Sequence, residues 1–257
     1  MWLDDLIINA AQNLLKVQFP HVGGFQDTIL QKNLSFKIEN GEFVQVLNKG
    51  GNHWITVTTI GVNNMSSVRV FDSLESSKFD FEMQSIIGSL VHTKSQEIIV
   101  KVEDVQHQED SSSCGLFAIA YAVSLCFTDD PRQIQFDKNV LRAHLLQCLV
   151  QRKMSRFPQL SGSRKLGLGN LASISVHCTC RLPLDPDDLS IVEKCSLCND
   201  HYHRECEANK KRLVISRNGA KMWICSKCSD QCNLHATYEI IDHNSFQSTV
   251  TVPNGAH

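Results

Sequence analysis

The sequence predicts an α+β domain followed by a small cysteine-rich unit, and three observations lead there. Apolar residues at helical spacing open the chain. Short β-branched runs separated by Gly/Asn turns follow, and helices close the first domain at about residue 150. Eleven cysteines are divided unevenly, with only Cys114, Cys126 and Cys148 before residue 170 and eight between Cys178 and Cys232. A chain of 257 residues has room for two such units with different chemistry.

Apolar residues make up 42% of the chain and charged ones 20%, enough to build a core and to exclude global disorder. A net charge of −2 argues against a general nucleic-acid-binding surface. Asp4 and Asp5 interrupt any early apolar region, so no signal peptide is expected. The longest apolar run, Leu116 to Phe127 broken only by Ser124, is too short to span a bilayer. These features predict a soluble intracellular protein of the nucleus or cytoplasm, with reduced cysteines and no membrane partner.

The elements read in order. Leu3, Leu6, Ile7, Ala10, Ala11, Leu14 and Leu15 keep helical spacing over 3–16, and Gly23-Gly24 breaks the chain. Residues 42–47 read as a strand closed by Asn48-Lys49-Gly50-Gly51-Asn52, and 53–60 as a second, β-branched one. After the turn Gly61-Val62-Asn63-Asn64, residues 67–71 pair back as a third strand. A helix over 79–91, a strand over 97–102, an apolar helix from Cys114 to about Phe127 and an amphipathic helix over 138–151 complete the domain.

The chemistry gathers on the stretch from Val105 to Ala120. Its first half is polar and turn-forming, its second half opens a helix, and Cys114 stands at the junction. The first N–H groups of a helix lack intrahelical partners, and with the helix dipole they favour a thiolate there. Gln108, six residues upstream, is a candidate oxyanion donor, and Gln106 is a competitor. A nucleophilic cysteine needs a base and a group to orient it. His53 opens the second strand and Asp72 follows the third, so a hairpin would bring them together at one end of the sheet. His107 and Asp110 read as loop residues, and Cys126 and Cys148 as core.

His53-Trp54, Phe71-Asp72-Ser73-Leu74, Gln108 and Cys114-Gly115-Leu116-Phe117, in this order and with a nineteen-residue step from His53 to Asp72, resemble the signature of the ubiquitin-like-modifier proteases. These are the SUMO-protease and adenovirus-protease-like cysteine peptidases. The resemblance covers nearly all of residues 2–150. It implies a papain-like α+β fold and thiol hydrolysis after the C-terminal glycine of a modifier. Cys114 would be the nucleophile, His53 the base and acid, and Asp72 its orienter. Gln108 and the Cys114 N–H would form the oxyanion hole, and Trp54 would border a narrow substrate mouth. The residue before the nucleophile is usually Asp in that family and is Ser113 here. An N-terminal substrate-binding extension is also expected to be absent.

Residues 151–176 are basic and then Gly/Ser-rich, which predicts a flexible linker. Its charges Arg152, Lys153, Arg164 and Lys165 read as solvated. Beyond it the ligand types pair off: Cys178 with Cys180, Cys195 with Cys198, His203 with Cys206, Cys225 with Cys228. Four pairs supply two tetrahedral zinc sites, a staple that so small a unit needs. With Tyr202 before His203 and Trp223 two before Cys225, the spacing over 177–230 resembles a PHD finger. That implies a cross-brace in which Cys178, Cys180, His203 and Cys206 hold one zinc and Cys195, Cys198, Cys225 and Cys228 the other. His201 is a rival ligand, Cys232 is spare, and residues 231–257 form a polar tail with a short strand near Thr237–Ile241. PHD fingers often bind histone tails. Here the usual cage positions carry His177, Ile191-Val192-Glu193 and His201, none of them Trp, Tyr or Phe, while Asp185, Asp187 and Asp188 suit unmodified basic residues. The alternative to a peptidase is a catalytically silent zinc-binding protein, either a PHD reader or a RING-like adaptor.

Overall fold

Asp4 caps the first helix, its carboxylate accepting from the Ile7 N–H at 3.0 Å, and α1 runs Asp5–Gln18. The computed structural model describes residues 2–39, 41–64, 66–74, 80–91, 93–185, 191–207, 212–215, 221–231 and 239–241. The chain divides into two units, Met1–Ser175 and Val176–His257.

The first unit is built on one mixed sheet of six strands in the order β1-β2-β3-β4-β5-β6. They are β1 (Gly23–Gly24), β2 (Phe43–Lys49), β3 (His53–Thr58), β4 (Ser67–Phe71), β5 (Glu97–Glu103) and β6 (Asn170–Ser175). The runs β2–β3–β4 are antiparallel meanders, joined by the Gly50-Gly51 and Gly61 turns expected from the sequence. The parallel pair β4–β5 needs a crossover, which α2 (Phe81–Leu90) supplies. Every residue of β3 is buried, so the centre of the sheet is covered on both faces.

The helix α3 (Cys114–Cys126) is buried along its whole length, as an all-apolar helix must be. Phe117, Tyr121 and Val123 pack in one core with Ile8, Ala11 and Leu15 of α1 and with Val44, Val46, Trp54 and Phe71 of the sheet. The helix α4 (Leu141–Gln151) closes that core through Leu141, Leu145 and Cys148. Cys126 and Cys148 are buried there, as expected.

Two expectations differ from what is observed. Gly23-Gly24 does not merely break the chain: it adds a two-residue parallel strand to β2. Gly24 sits at φ +84°, where an added Cβ would lie 2.2 Å from the Val44 carbonyl oxygen, so the close approach needs glycine. The segment 151–176, expected as a flexible tether, is instead fixed to the first unit up to Ser175. Met154 and Phe157 are buried in the core. The Arg164 guanidinium donates to the Asp104 carboxylate at 3.2 Å and to the Arg132 carbonyl at 3.0 Å, and the Gly167 N–H donates to Asp104 at 2.7 Å. β6 then pairs antiparallel with β5 from Asn170↔Val102 to Ser175↔Glu97. An unpaired β5 edge would leave a row of backbone N–H and C=O groups unmatched, and β6 satisfies them despite its Ser/Asn composition.

In the second unit, β7 (Val192–Lys194) and β8 (His201–His203) form an antiparallel ribbon, with α5 (Arg204–Glu207) directly after it. β9 (Arg212–Ile215) pairs antiparallel with both β10 (Lys221–Ile224) and β11 (Glu239–Ile241), and α6 spans Ser226–Gln231. Asp187, Asp188, Cys232 and most of the tail lie outside the described residues.

Candidate functional site

The register of the sheet assembles the site. Pairing of β3 with β4 ends at Thr56↔Phe71, so His53 projects past the ladder at the end where Asp72 leaves β4. His53 Nε2 lies 2.6 Å from Asp72 Oδ1. The same carboxylate accepts from the Leu74 N–H at 2.8 Å on Oδ1 and from Lys49 Nζ at 3.4 Å on Oδ2. Among the described residues, His53 Nδ1 is buried without a nitrogen or oxygen partner, and the remaining side-chain group acting on the ring is the Cys114 thiol. Cys114 opens α3 and is almost fully buried.

These neighbours set the ionisation. Burial opposes a charged His53, but the Asp72 hydrogen bond and then Cys114 outweigh it, and the imidazole is raised to about 9. Burial likewise opposes a Cys114 thiolate, yet the His53 contact and the backbone N–H groups of Trp54 and Gly115 bring the thiol below its usual range. Asp72 is lowered, since hydrogen bonding and charge from His53 exceed the cost of burial. All three shifts favour a thiolate–imidazolium pair at neutral pH. Protons leave such a pair in two macroscopic steps belonging to both groups.

Gln108 is tied down at both ends of its amide. Its Oε1 accepts from Ser73 Oγ at 2.6 Å, and its Nε2 donates to the Asp110 carbonyl at 2.6 Å, which uses one of the two amide hydrogens. Gln106 is committed elsewhere: its side chain exchanges hydrogen bonds with the Phe136 backbone at 2.6 and 3.2 Å. Gln106 is thus occupied by the Phe136 backbone, while Gln108 is held by Ser73 and Asp110. Trp54 is 4% exposed and donates its indole N–H to the Leu3 carbonyl at 3.0 Å. Its Cδ1 would stand 3.2 Å from a Cβ placed on Gly115, so the indole backs directly onto the start of α3.

The second unit holds two groups that could each bind a metal ion. Cys178, Cys180, His203 and Cys206 form one, and Cys195, Cys198, Cys225 and Cys228 the other, each with its donor atoms within 4.8 Å of one another. The described cysteines are free thiols. Cys198 Sγ and Cys225 Sγ are 3.9 Å apart, far beyond a disulfide and close to the ~3.8 Å edge of a tetrahedron with ~2.3 Å metal–sulfur bonds. The Cys225 N–H points at Cys195 Sγ and the Cys228 N–H at Cys225 Sγ, both at 3.4 Å, as outer-shell donors to metal-bound sulfur do. Glu207 joins the two halves, accepting from the Ser226 N–H at 2.9 Å and the Ser226 hydroxyl at 3.1 Å. Tyr202 is fully buried with its ring 5.9 Å from that of Trp223.

No protein-family model matches the chain, and no curated protein does. Among solved structures it is similar to the SUMO protease Ulp1 with its catalytic cysteine oxidised to a sulfonic acid, at TM-score 0.48 and 15% identity over 58% of this chain and 78% of that one. It is similar also to the C-terminal Ulp1 protease domain in complex with SMT3, the yeast ortholog of SUMO, at TM-score 0.46 and 14% identity over 59% and 77% of the two chains. A third is the Xanthomonas campestris effector XopD bound to ubiquitin, at TM-score 0.39 and 15% identity over 57% and 90%.

Within this chain, the structure brings His53, Asp72 and Cys114 into one cluster and places Trp54 and Gln108 on the elements that flank it. The eight expected ligands fall into the two expected sets, and His201 is outside both. Sequence reads Lys49 only as part of a turn, Ser73 only as part of the Phe71–Leu74 motif and Asp110 only as a loop residue, with no role at the site for any of them. Lys49 sits at the register position opposite His53 in the hairpin, a placement that the Asn48–Asn52 turn already encodes.

Proposed function

We propose that this chain is a cysteine peptidase that hydrolyses the peptide or isopeptide bond after the C-terminal glycine of a ubiquitin-like modifier such as SUMO. The observation that carries the reading is a single imidazole, His53, held by Asp72 and acting on a thiol at the buried start of a helix. In this reading the Cys114 thiolate attacks the glycine carbonyl. The developing oxyanion is met by the Cys114 N–H and the second amide hydrogen of Gln108. The His53 imidazolium then protonates the leaving amine, and as a neutral base it activates the water that releases the acyl group. Buried indole and a glycine at position 115 suit a narrow channel for a small-residue C-terminus, with Trp54 at its border.

The second unit, in the same reading, binds two zinc ions in a PHD-type cross-brace and serves as a protein-interaction module. Three thiolates with one imidazole in one group, and four thiolates in the other, are donor sets zinc prefers, and bound zinc would fix the short ribbons of this unit in place. A histone tail or another protein with unmodified basic residues suits a finger without aromatic residues at the cage positions. A nuclear or cytoplasmic site goes with free thiols.

The test is a panel of electrophilic probes, a vinyl sulfone at the C-terminus of SUMO or of ubiquitin. One modifier should label the folded protein at Cys114 and leave Cys114→Ala unlabelled. Absence of labelling by every modifier would remove the deconjugase reading in favour of a silent zinc-binding protein.

The ionisation of the pair sets a pH profile. Activity should rise as the lowered Cys114 thiol ionises and fall as pH passes about 9, where the imidazolium is lost. The same raised pKa stabilises the fold fully below the ordinary imidazole value of 6.5, and this contribution is lost as pH rises through about 9. Asp72, with its lowered pKa, contributes above its usual value of 3.8 and loses its contribution as pH falls below it. A basic limb in kcat near 6.5 would contradict the pairing.

A further inference from the structure

We propose that Asp110 is the positioning residue of the nucleophile loop, keeping Gln108 and the first N–H groups of α3 available to an oxyanion. This rests on the peptidase reading above. Asp110 binds both flanks of the site. Its Oδ1 accepts from the Ser112 N–H at 2.6 Å and the Ser112 hydroxyl at 3.1 Å, its Oδ2 accepts from the Ser113 hydroxyl at 2.7 Å, and its carbonyl accepts from Gln108 Nε2 at 2.6 Å. The residue two before the nucleophile, the one just before it and the oxyanion glutamine thus all depend on it.

The consequence for α3 is chemical as well as mechanical. Ser113 is the N-cap residue, and a serine hydroxyl there ordinarily accepts from a first-turn N–H. Ser113 makes no such bond, and its backbone (φ −91°, ψ 0°) is outside the extended conformation that capping uses. Its hydroxyl is turned away to donate to Asp110. The first-turn donors are thereby left to the oxygen that becomes charged during attack.

The experiment uses the full chain and the C-terminal coumarin amide of whichever modifier labels Cys114. Asp110→Ala should lower kcat about 10- to 100-fold with KM within about twofold, in the range for a weakened oxyanion contact. Asp110→Asn should recover to within about threefold of wild type, because its oxygen can still accept from Ser112 and its amide can still donate to Ser113. Asp110→Glu keeps the charge, displaces the oxygens by a methylene, and should lose about tenfold even if the alanine variant does not fold. Alkylation of Cys114 by iodoacetamide should keep its wild-type pH dependence in all three, since the His53–Asp72 pair is untouched. Full kcat in the alanine and glutamate variants would overturn the role of Asp110 alone, as would a glutamate variant as active as the asparagine one. Loss of the alkylation profile along with kcat would overturn it in favour of a purely structural role. A wild type that is alkylated at Cys114 but hydrolyses no modifier amide would overturn the peptidase reading and this role with it.

Discussion

His53→Ala should lower kcat/KM for a modifier amide by about 10³- to 10⁴-fold while leaving the metal content of the chain unchanged. The size follows from the double duty of this imidazole. In the proposed mechanism it holds Cys114 as a thiolate and donates the proton to the leaving amine. Removing it returns the thiol to the upper side of its range, because the burial that opposes the thiolate is then no longer outweighed. Alkylation by iodoacetamide at pH 7 should slow in parallel and recover at alkaline pH, which separates loss of the thiolate from loss of fold. Asp72→Asn retains an oxygen able to accept from His53 and from the Leu74 N–H, so it should cost less than His53→Ala. Unaltered turnover in His53→Ala would exclude His53 from the mechanism.

Metal removal should have the second large effect, confined to the second unit. Native mass spectrometry should count two zinc ions per chain. A strong chelator, or Cys195→Ser, should make residues beyond Val176 sensitive to protease while probe labelling of Cys114 persists. The magnitude is expected to be large, since structural zinc contributes about 10–16 kcal/mol of apparent folding free energy in zinc-finger peptides. Among the described residues, the core cluster of this unit sets Tyr202 and Ile224 among the ligand cysteines, with Trp223 against them, so the packing of that cluster runs through the metal ligands. One ion or none, or a unit that stays protected after chelation, would overturn the cross-brace.

Much of this chemistry is legible in the amino-acid sequence. A cysteine at the mouth of an apolar helix, a histidine opening one strand and an aspartate leaving the next are local facts, and hairpin geometry turns them into a cluster. The metal groups were legible for the same reason: ligands in adjacent pairs are brought close by the chain itself, and only the choice between pairs is long-range. The strand Asn170–Ser175 was not legible. Only Ile174 is buried on it, so the alternation that marks a strand is weak, and its Gly/Ser surroundings read as a tether. What makes it a strand is the β5 edge, a partner about seventy residues earlier in the chain.

Sequence by itself therefore determined the residue types, their order and their spacing: a cysteine, a histidine and an aspartate, and four Cys/His pairs. These depend on neighbours a few residues away, where helix starts and hairpin turns act. The tertiary structure alone decided which hydrogen-bonding groups face one another. It committed Gln106 to the Phe136 backbone and left Gln108 near the nucleophile loop. It also turned the Ser113 hydroxyl from the helix to Asp110. Those choices are competitions among several acceptable partners, and burial together with the fixed directions of donors and acceptors selects between them.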